Sequence, residues 1–285
     1  MAGSKLFRAQ DNRLKTIWRM LLFLAMVILL VLPLTLFRQT ILQFFGATIV
    51  LVAALYLSAQ YLDKRPFSAY GLVPLRLTLT QIPMGLFIGS LAVLTVLFTG
   101  YVTGAFMIAR NPLGIDVHLL ILFAVKMLFV SVIEESFFRG YLVINLSESF
   151  SGLFSHKNGG LITALVLSSC LFGLAHAGNY HASWLSISFL AINGMVWCVP
   201  FLRTGNLGLS IGMHWSWNFT QSMLGLTMSG NEANQAFFIV SDQGSSLVTG
   251  GPYGPEAGLL GLLGYAAMLG LFWGYLRWSI KFKTH

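Results

Sequence analysis

Apolar residues fall in long uninterrupted runs along this chain, and polar residues gather between them. The runs lie at about 17–37, 41–62, 81–108, 118–147, 160–176, 183–202, 207–228 and 257–280. None reads as the strict alternation of a half-buried strand. Each comes near the ~20 residues that cross a bilayer as a helix, and 160–176 is the short one. Pro33 and Pro83 sit near helix ends or kinks, where membrane helices tolerate them. The pattern predicts an all-α fold, a polytopic transmembrane helical bundle of about eight membrane-spanning helices. Residues 1–16 are expected to form a cytoplasmic basic arm, and 17–285 a single transmembrane domain.

Composition agrees. The 285 residues are 56% hydrophobic and 9% charged, with a mean hydropathy of +0.77. Such values mark a polytopic membrane protein. The net charge of +8 is not a nucleic-acid signature, because no basic stripe lies on a soluble domain. It reflects orientation instead. Lys5, Arg8, Arg13, Lys15, Arg19, Lys64, Arg65, Arg76, Lys157, Arg203, Arg277, Lys281 and Lys283 share one side if eight helices start inside. The other side receives Arg38, Arg110, Asp116, the 177–182 link and the loop 229–256, which has acidic residues but no Lys or Arg. That asymmetry predicts N-in/C-in in a cell membrane, with the arm lying on anionic lipid. Cys170 and Cys198 fall in apolar runs and suggest neither a disulfide framework nor a thiolate metal site.

Charge inside the runs brings in chemistry. Glu134-Glu135-Ser-Phe-Phe-Arg139 interrupts the fourth run. Intramembrane charges are costly and face partners or cavities. On an α-helix Glu135 and Arg139 share a face, while Glu134 is turned roughly 100° away and is left for chemistry. Phe172-x-x-x-His176 and His214-x-x-x-Asn218 are two further i, i+4 pairs in apolar runs. Glu, His and His/Asn on three separate elements point to one shared polar cavity. A shielded carboxylate can serve as a general base, a histidine can orient water, and a histidine with an asparagine amide can hold an oxyanion. Together these groups suit hydrolysis.

In that order, the three motifs resemble the signature of the CPBP family (CAAX protease and bacteriocin-processing, or ABI). These are intramembrane proteases that include the type II CAAX prenyl endopeptidase. Phe201-Leu-Arg-Thr-Gly-Asn-Leu and the Gly250-Gly251 to Glu256 stretch also look family-like, so the resemblance covers roughly 118–260. It implies cleavage of a peptide bond in a membrane-associated or C-terminal-motif peptide or protein substrate. It also implies that Glu134 and His176 activate water and that His214 and Asn218 hold the oxyanion. Glu135 and Arg139 match the remaining motif positions, and Phe172 packs behind His176. Some members of the family act as bacteriocin self-immunity factors.

The family is often labelled metallo-type, and Glu134, His176 and His214 could supply three zinc ligands. The metal-free reading is preferred here, because spending all three on a metal leaves few groups to activate water. Gly208-x-Ser210-x-Gly212 matches a serine-nucleophile pattern, but without the strand–turn–helix context that pattern needs. Small residues in a membrane helix more often serve close packing. A proton-coupled transporter and a non-catalytic membrane partner are the rival classes. No inverted repeat supports the transporter.

The orientation is directly testable. A cysteine introduced within 241–246 should react with an impermeant maleimide added to intact cells. Reaction only after permeabilisation reverses the assignment.

Overall fold

The computed structural model describes residues 13–154, 158–233 and 235–283. Most of the expected basic arm, residues 1–12, and the Ser155–Lys157 group lie outside that described part. The described chain is a helical bundle: α1 Thr16–Val31, α2 Thr40–Leu57, α3 Leu75–Val102, α4 Val117–Glu134, α5 Ile144–Phe150, α6 Gly159–Ala175, α7 Trp184–Thr204, α8 Gly208–Met223 and α9 Leu259–Lys283. Between α4 and α5 the helix does not break. It widens into a π-helical stretch, Glu135–Val143.

Each expected apolar run contains a helix, but among the described residues only six helical segments suffice by length and composition to cross a membrane: Thr16–Leu36, Thr40–Leu62, Phe67–Val102, Val117–Leu153, Trp184–Thr204 and Leu259–Ser279. α6 is apolar but shorter. α8 is short and polar, carrying Ser210, His214, Ser216, Asn218, Thr220, Gln221 and Ser222. Most of α8 is buried inside the bundle, so it needs no lipid-facing apolar surface.

Close backbone approach lets α8 in. On α3, Gly85 faces Gly212 of α8 and Gly89 faces Ser216, while Gly208 of α8 lies against Thr78 and Gln81. A Cβ built on Gly85 would fall 2.5 Å from the Leu209 carbonyl oxygen, and one on Gly212 would overlap the Ile82 carbonyl. The small residues of Gly208-x-Ser210-x-Gly212 therefore make a packing face, as in other membrane helix pairs. Ser210 is fully buried and donates its hydroxyl to the Trp197 carbonyl at 2.8 Å, so it is no nucleophile.

Two boundaries differ from the hydropathy pattern. The third run was expected to span 81–108, yet α3 covers Leu75–Val102. Gly104, at φ +73°, turns the chain. Phe106–Arg110 then pairs as β1, antiparallel to β2, Phe238–Asp242, with Ile108 opposite Val240. This ribbon ties the α3–α4 link to the long loop before α9. α4 starts where Asp116 caps it, accepting from the His118 and Leu119 N–H groups at 2.9 and 3.2 Å. α7 begins with a Ser183–Ser186 capping box and ends at Gly205, in the left-handed region at φ +67°. Cys170 and Cys198 are unpaired.

A charged cluster closes the end of the bundle where α1 begins. Asp63, fully buried, accepts from Arg19 Nη1 at 2.7 Å, Ser58 Oγ at 3.1 Å and Asn145 Nδ2 at 3.3 Å, and from the Tyr70 hydroxyl. Glu148 of α5 takes Arg13 at 2.6 Å and Arg19 at 3.1 Å, and also Arg65.

The glycine face gives a stability test. Gly212→Val should lower the detergent melting temperature by several degrees, since overpacking costs ~1–3 kcal/mol. Gly270→Leu, which meets open space, should leave it unchanged. Equal melting of the two variants refutes the packing role.

Candidate functional site

The two glutamates stand at the junction of α4 and the π-helical stretch. Glu134 closes α4 and Glu135 opens the wider turn. Bonding to the fifth residue on, instead of the fourth, puts more residues in a turn and narrows the angle between neighbours. The two carboxylates consequently reach one imidazole. His214 Nδ1 is 2.8 Å from Glu135 Oε1, and its Nε2 is 3.8 Å from Glu134 Oε2. The division expected from ideal α-helical angles, with Glu135 given to Arg139 alone, is therefore incomplete: Glu135 serves His214 as well.

Glu135 is fully buried and Arg139 nearly so. Arg139 Nη1 lies 3.1 Å from Glu135 Oε1, as an ion pair and not as an aligned hydrogen bond. The guanidinium sits 4.3 Å from the Phe172 ring centre and reaches the Gly194 carbonyl at 3.4 Å. Ring face, carbonyl and carboxylate together offset its loss of water. A carboxylate can only accept, so His214 keeps a proton on Nδ1. Trp197 stacks on the imidazole at 3.9 Å and 20°, which fixes the ring plane.

His176 follows the last turn of α6, where its Nδ1 lies 2.8 Å from the Phe172 carbonyl oxygen. A carbonyl also only accepts, so Nδ1 carries a proton, and the neutral form of the ring is the tautomer with its lone pair on Nε2. Phe172 packs against the ring at 4.8 Å between centres.

Glu134, His176, His214 and Asn218 all line one cavity of about 310 Å³, together with Phe172 and Trp197. Glu135 and Arg139 are not on its wall; they stand behind His214. Glu134 is 23% exposed at its side chain, so the cavity can present it to water. Among the described residues no group of three or more His, Cys, Asp or Glu is placed to hold a metal ion. The set Glu134, His176 and His214 does not fit zinc as it stands.

Several wall residues escaped the motif reading. Asn193 and Trp197 are one helical turn apart on α7, a spacing visible in the sequence but lost among apolar neighbours. Lys126 is a charge inside an apolar run and was legible as such. Glu256 closes the family-like Gly250-Gly251 to Glu256 stretch, but nothing in that turn-rich loop marked it as a wall residue. It is buried and accepts from Gln221, from the Ser229 N–H at 2.5 Å and from the Ser229 hydroxyl at 2.7 Å. Burial pushes its carboxyl above the ordinary range, against the pull of those donors. It holds Ser229, at φ +49°, on the cavity wall.

Residues 116–220 match the family model described as type II CAAX prenyl endopeptidase Rce1-like. That segment holds all three motifs, and the resemblance to the CPBP proteases is borne out on it. With six membrane-capable helices among the described residues, the chain is a membrane protein whose central segment is similar to that protease family. No curated protein and no solved structure matches the chain.

The buried pair yields a stability prediction. Glu135→Gln leaves Arg139 without its counter-charge and turns an acceptor for His214 into a poorer one. Detergent melting should register a loss of about 3–5 kcal/mol. A variant as stable as wild type contradicts the pairing.

Proposed function

We propose that the cavity hydrolyses a peptide bond of a membrane-associated or C-terminal-motif peptide substrate, without a metal. The observation that carries this reading is His214 set between two glutamates, one buried behind it and one facing the cavity. Glu134 is the general base. It takes a proton from a water whose other hydrogen is held by the Nε2 lone pair of His176. The hydroxide adds to the scissile carbonyl carbon. The oxyanion so formed accepts from the Asn218 amide and from Nε2–H of His214. Donation from Nε2 requires both ring nitrogens to be protonated, since Nδ1–H already faces Glu135. Glu135 supplies the neutralising charge, and Trp197 keeps the ring from turning. When the tetrahedral intermediate collapses, the C–N bond breaks and Glu134 returns its proton to the leaving amine. Burial between helices strengthens each electrostatic term relative to water.

The description of the matched family, type II CAAX prenyl endopeptidase, suggests a lipid-attached peptide reaching the cavity from the lipid side. The notion of a lipid-attached substrate fits the exposed apolar surface of α4, where Ile121 and Leu122 face outward.

Purified protein mixed with a membrane-peptide library, read by mass spectrometry, tests the assignment. Glu134→Gln should abolish turnover while its melting temperature stays near wild type. Asn218→Ala should lower kcat by ~10²–10³-fold, the usual cost of one oxyanion donor. Substantial turnover in Glu134→Gln removes Glu134 from the mechanism. Treatment with 1,10-phenanthroline should leave turnover intact; a loss reversed by zinc would put a metal in the site.

A further inference from the structure

Buried cations in this bundle come with carboxylates. Arg19 is held by Asp63 and Arg139 by Glu135. Lys126 departs from the rule. It lies in the third turn of α4, half-buried, with its ammonium 5.3 Å from the Phe44 ring centre. Among the described residues it has no hydrogen-bond or ion-pair partner. It stands on the wall of the same cavity as Glu134 and His214. A charge at membrane depth marks a function and draws a partner. The ordinary escape for a lysine is to reach the headgroups along its own stem. Lys126 is nine residues into α4, roughly 14 Å along the axis, and it borders the cavity instead. A phenyl face alone is a weak substitute for an anion.

We infer that Lys126 reads a carboxylate on the peptide substrate. The inference rests on the protease reading above and adds to it a substrate feature. Lys126 and Glu134 are eight residues apart on one helix, about 12 Å along its axis. An extended peptide advances ~3.3 Å per residue, so the carboxylate lies three to four residues from the scissile bond. Either the end of the substrate chain or an Asp or Glu side chain can supply it. When substrate is present the ammonium has its ion pair, and the empty cavity leaves it with Phe44. A neutral peptide would have to leave that charge desolvated and unpaired, which is the element that rejects it.

The test uses a peptide the wild-type protein cleaves in the membrane-peptide library. That peptide is resynthesised in three forms: free terminal acid without Asp or Glu, terminal amide without Asp or Glu, and terminal amide with one Asp three or four residues from the cut. Wild type should cleave at least one acid-bearing form with kcat/KM ten-fold or more above the neutral amide. Lys126→Gln should bring that ratio to within two-fold by slowing only the acidic form, and Lys126→Arg should retain most of it. Preference for the free acid alone assigns the chain end, and equal preference for the Asp form assigns any carboxylate. Melting temperature should not fall in Lys126→Gln, whereas a merely structural lysine would lower it. The inference is overturned if wild type shows no preference, or if Lys126→Gln keeps it. Cleavage that survives in Glu134→Gln, or none by wild type, fails the protease reading itself and is thereby told apart from failure of the lysine.

Discussion

A carboxylate with no access to water must be surrounded by positive charge or donors, and Glu135 sets that demand at the centre of this bundle. It is fully buried, with Arg139 on its own turn and His214 from α8. Neither partner would be stable there without it. Arg139 in turn requires Phe172 of α6 and the Gly194 carbonyl of α7. One buried charge thus calls four helical elements to one point, and the site is assembled around it. The same demand keeps a proton on Nδ1 of His214.

Such a site needs a polar helix in a membrane, which is unfavourable against lipid. The solution is steric. α8 is enclosed, with its glycine face laid against the glycines of α3 at backbone distance. Its opposite side carries His214, Trp217 and Asn218 to the cavity. The α3–α8 pair therefore converts a backbone contact into a place for side chains that lipid would reject.

Much of this was readable from residue order, and the limits have physical causes. Long apolar runs show helices because lipid demands them, and six of the eight appear as membrane-capable segments. Run length failed where burial replaced lipid contact, as in α8, and where Gly104 turned apolar residues into a strand. The three motifs announced Glu134, His176, His214 and Asn218, since intramembrane polar groups are few and expensive. The π-helical widening at Glu135–Val143 was not visible, because hydrogen-bond register depends on what α6 and α8 offer and not on local propensity. Hence Glu135 was assigned to Arg139 and its tie to His214 went unseen. The place of Glu256 on the cavity wall was equally hidden. Its partners Gln221 and Ser229 come together only through the fold of the loop before α9.

The ion cluster at the start of α1 bears on how the chain can be cut and joined. The matched segment begins at residue 116, which would suggest that α1 and α2 are detachable additions. Glu148 and Asn145, however, lie inside that segment, and their partners Arg13, Arg19, Asp63 and Arg65 all precede it. A chimera that exchanges the first two helices must bring its own cations to Glu148 or leave that half-buried carboxylate unpaired. The amino-terminal helices are accordingly part of one cooperative unit with the glutamate-bearing helix, and modular shuffling at residue 116 would cut across it.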